Sequence, residues 1–309
     1  VIIQKIDNIE FKINELRDFS FLNKYGKVFC VFDENDSGNI SFGVDNGEEK
    51  HFVKIAGAKT LNSCISQEKT VDLLKSAMPT YRELKHPNLI ELIDDYAVDD
   101  LYVAVFKWAD GECLFDHWNF DKYMNNPSIV PPIKRFKRLS CEKRLNAFNT
   151  YFDFLAFTES KNHVAVDFYD GSIMYDFKRD FVTICDIDFF RKSPAVNDMG
   201  KDFWGAIRLK APEEYILGAR IDSVTNVFTL GAMLFGLFGV YDGNDLAKMY
   251  AENAFFPCKY EFWELNEDLY KIALKAVSKD RKDRYRSVKN FHEEWAGRKV
   301  NYLWEIINM

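Results

Sequence analysis

The stretch His163–Phe190 reads HVAVDFYDGSIMYDFKRDFVTICDIDFF, and its pattern governs how the rest of the chain is understood. Ile173-Met174-Tyr175 and Phe181-Val182-Thr183-Ile184-Cys185 read as two short strands, with Lys178-Arg179-Asp180 as the turn that closes them into a hairpin. Asp167 lies in the loop before the first strand, and Asp188 follows the second. A rigid hairpin would hold both carboxylates at one end, where one can accept a proton and the other can bind a metal. Acid-rich loops are more often only solvated turns, so these residues need support from elsewhere in the chain.

The 309 residues are too many for a minimal single core and suit two modest lobes. At 47% apolar and 16% aromatic, the composition is that of a soluble globular protein. A formal net charge of -7 argues against a general nucleic-acid binder, because phosphate backbones require a basic face. Cys30, Cys64, Cys113, Cys141, Cys185 and Cys258 are scattered, with no Cys-x-x-Cys pair and no His at zinc-ligand spacing. They read as reduced thiols of a cytoplasmic protein. The longest apolar run, Val227 to Tyr241, is shorter than the roughly 20 residues of a membrane span and reads as a buried core helix. No signal-peptide pattern is visible at the start, and the sequence opens on Val1 without Met, so the true N-terminus is expected to have been trimmed or to lie upstream.

Along the chain, Ile3, Ile6, Ile9 and Ile13 stand near helical spacing and mark an amphipathic lead-in, either a short helix or a strand. From Lys27, the runs KVFCVF, ISFGV and HFVKIAG, separated by the polar turns DENDSGN and DNGEE, predict a three-stranded antiparallel meander. Gln67 to Leu84 predicts a helix that Pro79 should kink or split. Leu101 to Val105 reads as another strand, and residues 119–139 as a loop or insertion. In it Lys134, Arg135, Lys137 and Arg138 form either a solvated basic face or a site for an acidic partner. Leu145 to Ser160 predicts a core helix, and the polar stretch Arg191 to Lys210 a mobile segment.

The chain resembles the protein kinase superfamily, in its eukaryotic-like Ser/Thr branch. The family's usual loop is His-Arg-Asp, four residues, Asn, two short strands and Asp-Phe-Gly. Here Asp167 takes the place of the catalytic Asp, Ser172 that of the Asn, and Asp188-Phe189-Phe190 that of Asp-Phe-Gly. Gly38-Asn39-Ile40 matches the last glycine of the phosphate loop and the apolar residue two places on, and Lys54 stands where the family keeps its phosphate-holding lysine. His86-Pro87-Asn88-Leu89-Ile90 resembles the segment after the regulatory helix, and Phe106 with Lys107 to Ala109 resembles gatekeeper and hinge. Ala211-Pro212-Glu213, the run Asn226-Val227-Phe228-Thr229-Leu230-Gly231, and Arg284 complete the series, in the family's order, between Val28 and Phe291. The Ala-Pro-Glu segment and the helix after it separate the chain from small-molecule kinases of the aminoglycoside type.

The resemblance implies an α+β, bilobal fold. Residues 1–106 would be a small antiparallel β-rich N-lobe with a regulatory helix, and residues 107–309 a mainly helical C-lobe with hairpin and activation segment. It implies ATP and Mg²⁺ as cofactors, a protein or small hydroxyl compound as substrate, and neither nucleic acid nor a membrane span. Asp167 would orient and deprotonate the hydroxyl, Asp188 and Ser172 would bind metal, and Lys54 would hold the phosphates. Gly38, Ile40, Phe52, Phe106, Met174 and the backbone of Lys107 and Ala109 would contact the nucleotide. Glu213 and Arg284 are expected to form a buried ion pair.

Departures from the pattern leave two functions open, a divergent active kinase and a pseudokinase that serves as a binding or scaffold module. Asp33 and Asn35 replace two loop glycines, beside Glu34 and Asp36, and Phe52 narrows the adenine site. Ala77 stands where the regulatory helix usually carries its glutamate, with Asp72 or Glu83 as substitutes if the helix is displaced. Tyr169 replaces the loop lysine, Asp170 adds a negative charge, Phe190 replaces the glycine, and Val166 stands in place of a phosphate-receiving arginine. Ser193 is the only hydroxyl residue between Asp188 and Glu213. Replacement Ser193→Glu should therefore leave activity and nucleotide binding unchanged, and a large gain in a kinase assay would show that phosphorylation there is a switch.

Overall fold

A computed structural model describes residues 1–34, 37–61, 63, 65–116 and 120–307. The fold class is α+β, with antiparallel sheets and several helices. One compact unit comprises Val1–Gly111, His117–Asn125 and Thr183–Asp188, and a second comprises Glu112–Asp116, Asn126–Val182 and Phe189–Met309.

The first unit opens with strands, not a helix: β1 (Ile2–Ile6) pairs antiparallel with β2 (Ile9–Ile13). Asp7 and Asn8 form a two-residue turn, with Asp7 at φ 52°, and this breaks the helical spacing of the isoleucines. A five-stranded antiparallel sheet follows, in the order β3-β4-β5-β7-β6, from β3 (Lys27–Phe32), β4 (Asn39–Asp45), β5 (Lys50–Ala56), β6 (Leu92–Val98) and β7 (Leu101–Lys107). Alternation along these strands sends Ile40, Phe42, Val44, Val53, Ile55, Val103 and Val105 to one face. Phe11, Ile13, Phe19, Leu22 and Tyr25, from the β1–β2 hairpin and the turn after it, cover that face. The rings of Phe11 and Phe19 each lie 5.3 Å from Phe42.

Helix α1 (Gln67–Glu83) starts at Ser66, whose side chain accepts from Lys69 N, and it runs through Pro79 without being split. Pro79 sits on the exposed side, where water can satisfy the carbonyl that lacks its N–H partner. The short helix α2 (Phe120–Asn125) also belongs to this unit, so the insertion is not wholly loop.

In the second unit, β8 (Glu112–Cys113) pairs with β10 (Ile173–Asp176), whose other neighbour is β11 (Phe181–Ile184), the second strand of the expected hairpin. Helix α3 (Pro132–Lys137) forms inside the expected loop because Pro132 is preset for a first helical turn and Phe136 is fully buried against Tyr175. The basic run there is partly spent internally. Arg135 pairs with Glu112 and lies over the Phe177 ring, and Lys137 donates to Gly239 O. Helices α4 (Cys141–Ser160), α5 (Ser223–Phe238), α6 (Gly243–Glu252), α7 (Glu267–Ala276) and α8 (Val288–Ile307) complete the unit. Small antiparallel pairs join β9 (His163–Val164) to β12 (Arg191–Lys192) and β13 (Ala195–Val196) to β14 (Arg220–Ile221).

The apolar run is α5, buried nearly all round, as expected of a core helix. A methyl group on Gly231 would come within 2.8 Å of Ala276 Cβ, so glycine lets α5 and the end of α7 approach closely. Among the described residues no helix is long and apolar enough to cross a membrane.

The expected Glu213–Arg284 pair is present and bidentate, with Nη1 2.8 Å from Oε1 and Nη2 3.0 Å from Oε2, and both side chains are buried. Arg281, not anticipated, adds a contact at 2.5 Å to Glu213 and one at 2.6 Å to Asp222, the residue that caps α5. Burial works to raise the Glu213 pKa, but the bonds and charge of Arg284, helped by Arg281, bring it below its usual value. The resulting stabilisation is present above the ordinary carboxyl range and is lost as pH falls through the lowered value. Arg284→Ala should lower the unfolding free energy at neutral pH by about 3–5 kcal/mol, because Glu213 then stays buried without its main partner. Urea melts would check this, and a loss below ~1 kcal/mol would mean that water replaces the guanidinium freely.

Candidate functional site

Lys54 owes its position to β5. With Val53 and Ile55 in the core, period two turns Lys54 and Phe52 to the other face. Across the ladder Lys54 faces Ser41 on β4 and Ala104 on β7, small residues that leave room for a long side chain. Its ammonium reaches Asp186 Oδ1 at 2.9 Å and Asp188 Oδ2 at 2.6 Å. Burial opposes the Lys54 charge, but the two carboxylates outweigh it and raise its pKa. Burial also raises Asp188, with Asp186 acting the same way and Lys54 pulling against both. An ammonium held between two carboxylates stays charged.

Backbone bonds to the His-Pro-Asn segment bring these acids to Lys54. Ile184 N donates to Asn88 O at 2.6 Å, and Ile90 N to Ile184 O at 2.8 Å, which docks residues 183–188 on the first unit. Asp186 then adopts φ 56°, a left-handed conformation that Asp tolerates better than most residues. From α1, Tyr81 donates to Asp188 Oδ1 at 2.8 Å and accepts from Ile187 N at 3.1 Å. Ala77, at the expected glutamate position, is buried, and Asp72 and Glu83 are exposed. The partners of Lys54 come from the loop, and neither suggested substitute from the helix takes the role.

The expected nucleotide positions divide. Phe52 and Phe106 share the Lys54 face, with ring centroids 6.3 Å apart, and Phe106 also packs on Tyr81 at 5.0 Å. Ile40 does not join them. It pairs with Ile55 and is fully buried in the core on the opposite face, so the β4 residues beside Lys54 are Ser41 and Gly43. The departure follows from the strand period: moving one position along a strand reverses the face. Gly38, at φ 78°, backs against Ser63 and Thr70, where a methyl would come within 2.5 Å of Ser63 Oγ. Asp33 accepts from Lys12 N at 2.8 Å, and the expected loop positions Asn35 and Asp36 lie outside the described residues. In the expected hinge, Lys107 N donates to Glu91 O and Trp108 N to Lys50 O, so both are used within the unit. Among the described residues, Ala109 N is the amide of that stretch with no such acceptor.

In the second unit Asp167 takes φ 60° in the loop before β10, and Met174 is partly exposed opposite Cys113. The loop backbone is gripped by Asn226 of α5, which accepts from Ala165 N at 2.9 Å and donates to Ala165 O at 2.7 Å. Ser172, expected as a metal ligand, is fully buried and its hydroxyl points to Asp167 O at 3.5 Å. The Tyr169 ring stands over Gly171, and the charge of Asp170 is met by Arg208, whose guanidinium also covers Phe115. Among the described residues no group of three or more His, Cys, Asp or Glu side chains is gathered for a metal.

Two buried groups near Asp167 escaped the sequence reading because each ordinarily sits on a surface. Lys210 donates to Phe203 O at 2.6 Å and Lys201 O at 3.2 Å, fastening the stretch between residues 201 and 210. Burial lowers its pKa, against the pull of Glu214, Asp202 and Asp167. Glu214 accepts from Ala211 N at 2.7 Å, and burial, with Glu213 and Asp167 adding to it, pushes its pKa up to about 8.

No protein-family model matches the chain, and no curated protein matches it in sequence.

Because the folded pKa of Glu214 lies above its ordinary value, this carboxyl opposes folding once it ionises. Stability is full below about pH 4.5 and falls as pH rises toward 8, by an amount on the order of 5 kcal/mol. Glu214→Gln keeps the acceptor for Ala211 N–H and should raise the melting temperature at pH 8.5 but not at pH 4.5. An equal shift at both pH values would mean that Glu214 is ionised throughout.

Proposed function

We propose that this chain is a divergent phosphotransferase with a bilobal, protein-kinase-like fold, which uses ATP and Mg²⁺ to phosphorylate Ser/Thr or another hydroxyl. The observation that carries the reading is the Lys54–Asp188 ion pair. Residues far apart in sequence meet at 2.6 Å on the face of a five-stranded sheet opposite its core cluster, and the third and fourth strands of that sheet along the chain are separated by a helix. The aromatic pair Phe52 and Phe106 beside the lysine suits a planar base, and the Ala109 amide suits a base edge.

The residues present fit the group. Lys54 supplies the fixed positive charge for phosphate oxygens, and Asp188 offers the hard carboxylate oxygens that Mg²⁺ prefers. Magnesium would neutralise charge on the transferred phosphoryl group. Asp167 would orient the acceptor hydroxyl and take its proton, on a loop kept rigid by Asn226. A second reading, a pseudokinase that binds nucleotide or a protein partner without efficient transfer, is favoured by one observation, the burial of Ser172.

Thermal unfolding with ADP or ATP, with and without Mg²⁺, tests nucleotide binding. A ligand at 100 times its dissociation constant should add about 2.7 kcal/mol of apparent stability. The Mg²⁺-dependent part should vanish in Asp188→Asn. Asp167→Asn should keep the thermal shift and abolish transfer to a hydroxyl acceptor. No shift with any nucleotide would remove the phosphotransferase reading, and a shift without transfer in the wild type would favour the pseudokinase.

A further inference from the structure

We propose that Asp186 and Tyr81 are the positioning residues of this site, with Asp186 keeping Lys54 in place when Asp188 turns to a metal ion; the inference rests on the nucleotide-binding reading above. Both oxygens of Asp188 are engaged, Oδ2 by the Lys54 ammonium at 2.6 Å and Oδ1 by the Tyr81 hydroxyl at 2.8 Å. An oxygen that ligates a divalent cation cannot also hold an ammonium at that distance without setting two positive charges side by side. Metal entry at Oδ2, the oxygen that faces Lys54, therefore requires the ammonium to leave that oxygen. A buried ammonium left without a carboxylate is drawn out toward solvent.

Asp186 prevents that outcome. Its Oδ1 already lies 2.9 Å from Nζ, and it is the other carboxylate on Lys54 among the described residues. Its own side chain is 47% exposed, so it carries its charge at little desolvation cost. Tyr81 acts on the loop: it stands one helical turn beyond Ala77 on the same face of α1, and its hydroxyl fixes Asp188 Oδ1 and Ile187 N together. The helix thus positions the metal-binding acid directly, and the lysine is positioned by the loop.

Two measurements on the full chain test this. Competitive acetylation with acetic anhydride, read at Lys54 by mass spectrometry, reports the ion pair in the free protein. Lys54 should react slowly in the wild type, about tenfold faster in Asp186→Asn at pH 8, and slowly again in Asp186→Glu. Wild-type reactivity equal to that of exposed lysines would overturn the assignment, whatever the protein does with nucleotide. In the second measurement, Asp186→Asn should weaken ADP binding about tenfold with Mg²⁺ and less than about twofold in EDTA, with Asp186→Glu restoring it. Tyr81→Phe should weaken Mg²⁺-ADP binding while leaving Lys54 acetylation slow. Equal losses with and without metal would show a merely structural role and overturn the proposal. If the wild type binds no ADP, the functional reading and the metal-exchange role fall together, and acetylation alone decides whether Asp186 holds Lys54.

Discussion

A buried ammonium has to be answered by carboxylate, and the first unit is arranged around that requirement. Lys54 is placed on the inner face of β5 by strand alternation alone, and no other residue of the sheet that faces it across the ladder is charged. Its neutralisation comes from residues 183–188, which reach it only because the His-Pro-Asn segment takes them into its backbone hydrogen bonding. The supply of two carboxylates, one buried and one half-exposed, holds the lysine charged while leaving one acid adjustable.

The second unit solves a comparable problem around Asp167. Its loop is short and carries polar backbone into a buried setting, so the donors and acceptors there need fixed partners. Asn226 provides both kinds at once, which a carboxylate at the same place could not do. Below it, Glu213 is neutralised by two arginines, whereas the adjacent Glu214 has one backbone donor and a lysine already engaged with carbonyl oxygens. Neighbouring acids in one turn therefore have opposite pKa shifts, set by which of them faces a guanidinium.

Much was legible in the residues because it rests on local pattern or on chemistry with few solutions. The meander, the hairpin of β10 and β11, the core helix α4 and the buried α5 follow from periodicity and turn residues. The Glu213–Arg284 pair was legible through the kinase resemblance. What was misread has particular causes. Ile40 was assigned by its distance from Gly38, a count that ignores which face of β4 the position takes. The N-terminal isoleucines left helix and strand open until Asp7-Asn8 is read as a turn, and Pro79 does not split α1. Asp186 and Tyr81 left faint signals, an Asp-x-Asp spacing and an aromatic one turn past Ala77, which only a structure turns into contacts.

The sequence by itself determined the strands, the principal helices and the absence of a long apolar helix among the described residues, since these depend on neighbours within a few positions. Tertiary structure decided which acid meets Lys54, that Ser172 is enclosed, that Arg208 answers Asp170, and that Glu214 is driven toward a neutral form. Those outcomes depend on burial and on partners distant along the chain. The energy of a charge is set by what surrounds it in space, and linear order carries little of that information.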